Sequence, residues 1–341
     1  MSLTKDEAAT GEVSPALAIE AMFAFRSTAA IKAAIELDVF TAIGAGDATV
    51  KSLAATVGAS ERGLRILCDF LVVEGFLLKQ EDRYLATPST RMFLDRQSPA
   101  YMGAAVDFIA APEMAELFLN DPSSYVRNGG AVGLANVSPD NPVWIRFARA
   151  MGAFTGSSAE SLAAEVATWP QPPRKVLDIA AGPGRFGIEI ARTIPSAKIV
   201  AVDWQSVLAL SEQNAQEAGV AERYQSLAGS AFDVDWGGDY DLILLPNFLH
   251  HFDADTCVGL LKKVRSSLGS GGRVVGVEFV PNEDRISPSF EAEFSFEMLA
   301  TTPAGDAYTK KELDEMARRA GFRGVTTKPL SPSPASLVFF E

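Results

Sequence analysis

The run Val176-Leu177-Asp178-Ile179-Ala180-Ala181-Gly182-Pro183-Gly184-Arg185-Phe186-Gly187 constrains the fold of this chain more than any other stretch. It opens as a buried strand, apolar but for one acid, and runs into a glycine turn. A helix follows, continuing through Ile188 and Ile190. Strand, glycine turn and helix in this order bring backbone N–H groups and the positive end of a helix to a ligand. Gly182-Pro183-Gly184-Arg185-Phe186-Gly187 also reads literally as GxGxxG, the dinucleotide fingerprint. Three glycines alone leave the ligand open, so the residues around them decide it.

Beyond the turn the pattern alternates. Strands are expected at 175–179, 197–202, 224–227, 241–245 and 273–280, with two late ones at 325–328 and 336–340. Helices are expected at 206–218, 253–268 and 310–320 between them. Such alternation predicts an α/β, Rossmann-like domain on a mostly parallel seven-stranded sheet. The chain before it is mainly helical. A helix over 15–37 precedes one that Thr49 caps and Gly58 ends, and Ser60 opens a third bearing Leu64, Leu67 and Leu71. Gly75 closes that helix, and short strands at 76–79 and 84–86 flank a turn. This is a winged-helix pattern. Its third helix carries Arg62 and Arg65, which admits DNA binding, but Glu61, Asp69 and Glu74 lie on or beside it.

Composition decides between those uses. The net charge of −13 opposes a nucleic-acid partner, which calls for a basic footprint. Pairing with a second subunit is the better reading of the N-terminal helices. No apolar run reaches the roughly 18 residues of a membrane span, and the polar, acidic N-terminus lacks the features of a secretory signal. Cys68 and Cys257 are too few and too far apart for a disulfide framework or a metal site. These features predict a cytoplasmic protein with no metal.

Two acids discriminate among ligands for the turn. Asp178 stands on the first strand just before the glycines, where a pyrophosphate would feel its charge. A cation bearing an amine and a sulfonium suits that position. Asp203 ends the second strand about 20 residues past the turn, where a ribose diol lies in such folds. Nicotinamide and sulfonium nucleotides share the second acid, so Asp178 separates them. Ahead of the turn, Trp144, Phe147, Met151 and Phe154 recur at helical spacing and read either as core or as a ligand pocket.

The runs LDIAAGPGRFG at 177–187, AVDW at 201–204, GSAF at 229–232 and LLPNFLHHFD at 244–253 resemble the class I S-adenosylmethionine-dependent methyltransferases. With its winged-helix start, the chain resembles the two-domain small-molecule O-methyltransferases of the caffeate, hydroxyindole and polyketide type. The resemblance implies S-adenosylmethionine as cofactor, a small-molecule substrate and a homodimer formed through the N-terminal domain. It divides the chain into an arm (1–14, expected disordered), a dimerisation domain (15–100), a helical linker contributing to the substrate pocket (101–165) and the cofactor-binding methyltransferase domain (166–341). It puts Asp178, Gly182 and Gly184 around the methionine part of the cofactor and Asp203 on the ribose hydroxyls. Trp204 falls beside the adenine, Ser230 and Phe232 at its edge, and Met151 and Thr155 on a helix serving both sites. An acceptor pocket lined by Phe108, Trp144, Phe147, Met151, Phe294 and Met298 suits an aromatic or polycyclic substrate.

By the same resemblance His250 falls on the catalytic base and Glu278 on the carboxylate that orients it. The residues support this on their own terms. The chain has only two histidines, His250 and His251, just past a strand end. A phenol with a pKa of about 10 must lose its proton as the methyl group is attacked, and a positioned imidazole contributes about 10²–10⁴-fold. Glu278 is an acid within an apolar strand, which calls for a partner. Adjacent residues cannot both point at one acceptor, and His250 is preferred; the bland alternative is that the pair only packs the turn.

The sequence departs from the family pattern at Ala181, Ser230, Pro246, His251 and Ala307, where glycine, aspartate, lysine, aspartate and glutamate are common. The cofactor set survives these changes, whereas a nitrogen or carbon acceptor needing no histidine base becomes an alternative. An NAD-dependent oxidoreductase and a ligand-sensing winged-helix regulator are the others.

Overall fold

The computed structural model describes residues 13–46, 48–134, 137–331 and 333–341. Apart from Val13 and Ser14, the arm expected over residues 1–14 lies outside the described residues. The chain forms two compact units that divide between Ala111 and Pro112, inside the stretch read from sequence as a linker.

In the first unit, α1 (Ala16–Phe23) and α2 (Phe25–Glu36) replace the one helix expected over 15–37. The N–H of Ala24 turns to the carbonyl of Ala21, a tighter bond than the helical one, and the helix breaks there. α3 (Val39–Gly44), α4 (Val50–Val57) and α5 (Glu61–Val73) follow. Thr49 and Ser60 cap the last two, accepting from Ser52 N at 3.3 Å and Gly63 N at 3.1 Å. β1 (Leu77–Gln80) and β2 (Arg83–Ala86) pair antiparallel as the wing, before α6 (Pro88–Leu94) and α7 (Val106–Ile109). Phe40, Leu53, Leu64, Leu71, Leu77 and Tyr84 form the core. Phe108, expected to line a pocket, is a buried residue of α7. Arg65 is tied to Asp69, which also accepts from Lys79 and Tyr84. No described residue of α1 is buried, and Leu17, Met22, Phe23 and Phe25 are exposed.

The second unit begins with α8 (Pro112–Leu119), α9 (Pro122–Asn128) and the long α10 (Val143–Ala167). Then come β3 (Lys175–Ile179), α11 (Arg185–Thr193), β4 (Lys198–Asp203), α12 (Gln205–Glu217), β5 (Tyr224–Ala228) and β6 (Tyr240–Pro246). α13 (Ala254–Ser266), β7 (Leu268–Glu278), α14 (Ser289–Thr301), α15 (Lys310–Ala320), β8 (Val325–Pro329) and β9 (Ser336–Phe340) complete it. The seven strands lie in the order β5-β4-β3-β6-β7-β9-β8. Pairings among the first five are parallel, and those of β9 with β7 and β8 are antiparallel. Alternate residues face opposite sides. Leu177, Ile179, Ile243 and Leu245 meet α13 and α15 on one face, while Val176, Leu242 and Leu244 meet α10 and α11 on the other.

β7 starts at Leu268, earlier than the expected 273. The glycines between read as a loop, yet they let the backbone approach Tyr240 closely enough to pair. A Cβ on Gly272 would stand 2.4 Å from the Tyr240 carbonyl oxygen.

The sheet order reverses at β3, whose neighbours β4 and β6 lie on opposite sides. Folds of this kind open a ligand crevice at the carboxyl ends of the two strands flanking such a point. Two non-glycine residues there have left-handed backbones, Ala180 after β3 (φ 55°) and Asn247 after β6 (φ 52°).

Candidate active site

The glycine turn is held from beneath and from the side by the two acids. Asp178 is fully buried, and its Oδ2 accepts the Gly187 N–H at 2.9 Å, anchoring the first turn of α11. A side chain at 187 would bring its Cβ to 2.8 Å from that oxygen, which explains the glycine. Asp178 Oδ1 is buried without a partner. Asp203 ends β4, its Oδ2 accepting from Gly182 N at 2.8 Å and its Oδ1 from Trp204 N at 2.7 Å. Gly184 has φ 80°, and a Cβ on it would meet Tyr224 Oη at 2.6 Å. Asn214 Nδ2 donates to the Pro183 carbonyl at 2.8 Å and fixes the crest of the turn.

Burial pushes the carboxyl of Asp178 up to about 7, against the Gly187 hydrogen bond and with the help of the Asp203 charge. Burial likewise pushes Asp203 up to about 6, against its two backbone hydrogen bonds. Carboxyls held towards neutrality by lost solvation are the groups that a cation returns to their charged form.

The other residues read from sequence as cofactor-binding lie on the segments before and after this turn. Trp204 is the N-cap residue of α12. Ser230 Oγ accepts the Phe232 N–H at 3.1 Å, and the Phe232 ring lies 5.0 Å from Phe252 and 6.2 Å from Phe248. On α10, Thr155 returns its hydroxyl to the Met151 carbonyl at 3.1 Å. Between them Gly152 brings the helix against the turn: a Cβ there would lie 3.1 Å from Pro183 Cγ. Lys263 was invisible to sequence reasoning, since one lysine on an amphipathic helix looks like a solvated face. Its ammonium donates to the carbonyls of Ala231, Phe232 and Val234 at 3.0, 3.1 and 2.8 Å. It also lies 3.9 Å over the Trp236 ring, so the whole loop that carries Phe232 is pinned to α13.

Across the crevice, Glu278 at the end of β7 organises the turn that follows β6. Its Oε1 accepts from Phe248 N at 3.1 Å and Leu249 N at 2.9 Å, and its Oε2 lies 2.6 Å from His250 Nδ1. Both side chains are buried. With Nδ1–H given to the carboxylate, the neutral ring carries its lone pair on Nε2. His251 is different. It has no carboxylate partner among the described residues, and burial together with the neighbouring His250 holds its pKa well below the ordinary imidazole range.

Aromatic rings build a wall beside the two histidines. Phe294 of α14 meets His250 edge-on at 4.9 Å, Phe279 lies tilted against Phe294 at 4.4 Å, and Phe290 lies 5.4 Å from Phe279. Phe147 of α10 approaches His251 at 6.5 Å, with Trp144 6.4 Å from Phe147. Met151 and Met298 each follow four residues after a wall residue, Phe147 and Phe294, on the same helix faces. Sequence reasoning missed Phe279 and Phe290, whose partners are distant in the chain. It also missed Gly305, where a Cβ would stand 2.2 Å from the His250 carbonyl oxygen and 2.6 Å from Thr302 Oγ1. That loop therefore presses on the backbone of the histidine turn. Gly305→Ala is expected to cost about 1–3 kcal/mol as overpacking, measured by urea unfolding. Unchanged stability would show that the loop gives way without moving the histidines.

The O-methyltransferase domain family model matches residues 120–323, and the O-methyltransferase dimerisation domain model matches residues 19–96. The 3-hydroxy-5-methyl-1-naphthoate 3-O-methyltransferase of Streptomyces sahachiroi is 28% identical over 307 residues, covering 88% of this chain and 87% of that one. The tetracenomycin polyketide synthesis 8-O-methyl transferase of Streptomyces glaucescens is 26% identical over 319 residues, covering 92% and 93%. Among solved structures, a Nostoc punctiforme chain provisionally assigned as an O-methyltransferase superposes with a TM-score of 0.91. It is 46% identical, with 96% of this chain and 99% of that one covered.

Proposed function

Because this chain belongs to the O-methyltransferase family, we propose that it transfers the methyl group of S-adenosylmethionine to a hydroxyl of an aromatic or polycyclic small molecule, with His250 as general base. The observation that carries this reading is the buried 2.6 Å pair of His250 and Glu278, set beside an aromatic wall. Family membership sets aside the nicotinamide reading of GxGxxG and the reading of the chain as a regulator.

The residues present fit the cofactor. Asp178 offers a buried acceptor with no donor, and nothing stands within 4 Å of where a Cβ on Gly182 would lie. Asp178, Gly182 and Gly184 hold the methionine part and Asp203 the ribose hydroxyls. Trp204, Ser230 and Phe232 border the adenine, and Thr155 closes the site from α10. Bound there, the sulfonium supplies an electrophilic methyl group.

The chain's own residues do the rest. Phe147, Met151, Phe294 and Met298 orient the acceptor ring and exclude water, which supplies the alignment that a displacement needs. His250 Nε2 takes the hydroxyl proton as the oxygen attacks, and Glu278 stabilises the imidazolium that forms. The naphthoate and tetracenomycin relatives carry aromatic acceptors in their names, in keeping with this wall. Two copies of the chain pair through the N-terminal unit, where the dimerisation match and the uncovered apolar α1 coincide.

Three outcomes test this. His250→Ala is expected to lower kcat by about 10²–10⁴-fold while S-adenosylhomocysteine binds as before, assayed with labelled donor on a panel of phenols and naphthols. A retained rate would favour a nitrogen or carbon acceptor that needs no base.

The second outcome concerns pH. Asp178 and Asp203 are pushed up to about 7 and about 6, above an unfolded carboxyl near 3.9. Their contribution to stability is therefore greatest below about pH 4 and is lost as pH rises through about 6 to 7. A cationic donor prefers the charged acids, so its affinity should rise with pH across that same window and then level off. Calorimetric titration with S-adenosylmethionine measures this, and a flat profile would remove the acids from the contact.

Third, light scattering should find a dimer that Met22→Glu together with Phe25→Glu dissociates. A wild-type monomer would defeat the pairing.

A further inference from the structure

We propose that Tyr308 is a positioning residue for the base: its hydroxyl, given to the Phe252 carbonyl, fixes the far end of the turn that presents His250. The proposal rests on the reading of His250 as base and concerns a residue to which the family resemblance gave no role.

The turn is gripped firmly at its near end. Glu278 holds it there through the N–H groups of Phe248 and Leu249 and through the imidazole. A glutamate is common in the family at position 307, but Ala307 stands there, fully buried, and offers the turn no polar group. Leu249–His251 forms a single 3₁₀ turn whose own backbone bonds are short-range. The His251 N–H turns to the Phe248 carbonyl at 3.3 Å and the Phe252 N–H to the Leu249 carbonyl at 3.1 Å. Holding the exit of the turn falls to donors from elsewhere in the chain.

Tyr308 is such a donor. Its Oη lies 2.5 Å from the Phe252 carbonyl oxygen, across 56 residues of chain. Cys257 Sγ donates to the Leu249 carbonyl at 3.2 Å and approaches the Phe252 carbonyl at 3.7 Å. The two carbonyls that bracket the histidines are therefore both engaged by side-chain donors. Burial above all pushes the Tyr308 hydroxyl above its ordinary range and the Cys257 thiol up to about 12, so both keep their protons.

Tyr308 is itself rigidly set. It precedes Thr309, the N-cap of α15, where Thr309 and Glu312 form a reciprocal capping box. Tyr308 just before the cap and Leu313 one turn inside it occupy the two positions of a hydrophobic staple. Both belong to the core cluster that contains Leu249 and Cys257. The start of a helix thus carries the hydroxyl to the histidine turn. A displacement of about 1 Å at a reacting group can cost about 10²-fold in rate, so a hold on this backbone bears on the chemistry.

Tyr308→Phe removes the hydroxyl and keeps the ring. With labelled donor and the panel of phenols and naphthols, kcat should fall about tenfold. The acceptor KM and the binding of S-adenosylhomocysteine should each change by less than about twofold. The deciding measurement repeats the substitution in the His250→Ala protein. A residue that acts through His250 has nothing left to position there, so Tyr308→Phe should then cost less than about twofold. An equal loss with and without His250 would overturn the assignment, because the hydroxyl would then serve the fold alone. An unchanged kcat would overturn it too, as would a variant that thermal unfolding shows not to fold. A His250→Ala protein as fast as the unaltered one would instead defeat the base reading, and this proposal with it.

Discussion

The turn after β6 depends on one carboxylate. Glu278 ends a strand whose preceding residues are buried and apolar, where an unpartnered charge would be costly. It accepts three donors from the turn after β6: two backbone N–H groups and the Nδ1 of His250. Those three bonds set the backbone of the turn and the plane of the imidazole together. A single parallel strand pairing, β6 with β7, brings the acid to the turn. The loop carrying Gly305 then presses against the same backbone from another direction. Position and tautomer of the histidine are thus consequences of sheet register and packing.

The cofactor side uses a different physics. Here the acids are not satisfied by charged partners. They are held by backbone N–H groups of the turn they support, Gly187 for Asp178 and Gly182 for Asp203. That arrangement shapes the turn and leaves both carboxyls raised by desolvation. Shape and electrostatics are therefore coupled: the groups that fold the turn are also the ones that burial holds towards neutrality. Lys263 performs the opposite task at the next loop, spending its donors on three carbonyls so that this segment is fixed without any ligand.

Between the two lies an aromatic surface drawn from separate parts of the chain. Phe147 comes from α10, Phe279 from the end of β7, and Phe290 and Phe294 from α14. Each ring is unremarkable in its own segment. α14 in particular distributes phenylalanines around its axis, with Phe294 against His250 and Phe296 against Tyr125. Its periodicity alone does not say which ring faces the chemistry.

Much of the second unit was legible in the sequence because its signals are local. The strand 175–179, the helix 310–320 with its closing Gly321 and the late strand 336–340 were read at their observed bounds. Hydrophobic period and caps are properties of neighbouring residues. The glycine turn with its two acids was legible for the same reason, as were the capping residues Thr49 and Ser60. Reading failed where backbone geometry, near or remote, decided the outcome. The break at Ala24 and the early start of β7 depend on local hydrogen-bond geometry and a close backbone approach that composition does not encode. So the sequence by itself determined the fold class, the turn and the candidate dyad. Only the tertiary structure showed the contact itself, His250 Nδ1 2.6 Å from Glu278 Oε2, because the acid arrives 28 residues later along the chain. It likewise exposed the unmet acceptor of Asp178, since a hydrogen bond left unmade is a property of the packed molecule and leaves no mark on the string of residues.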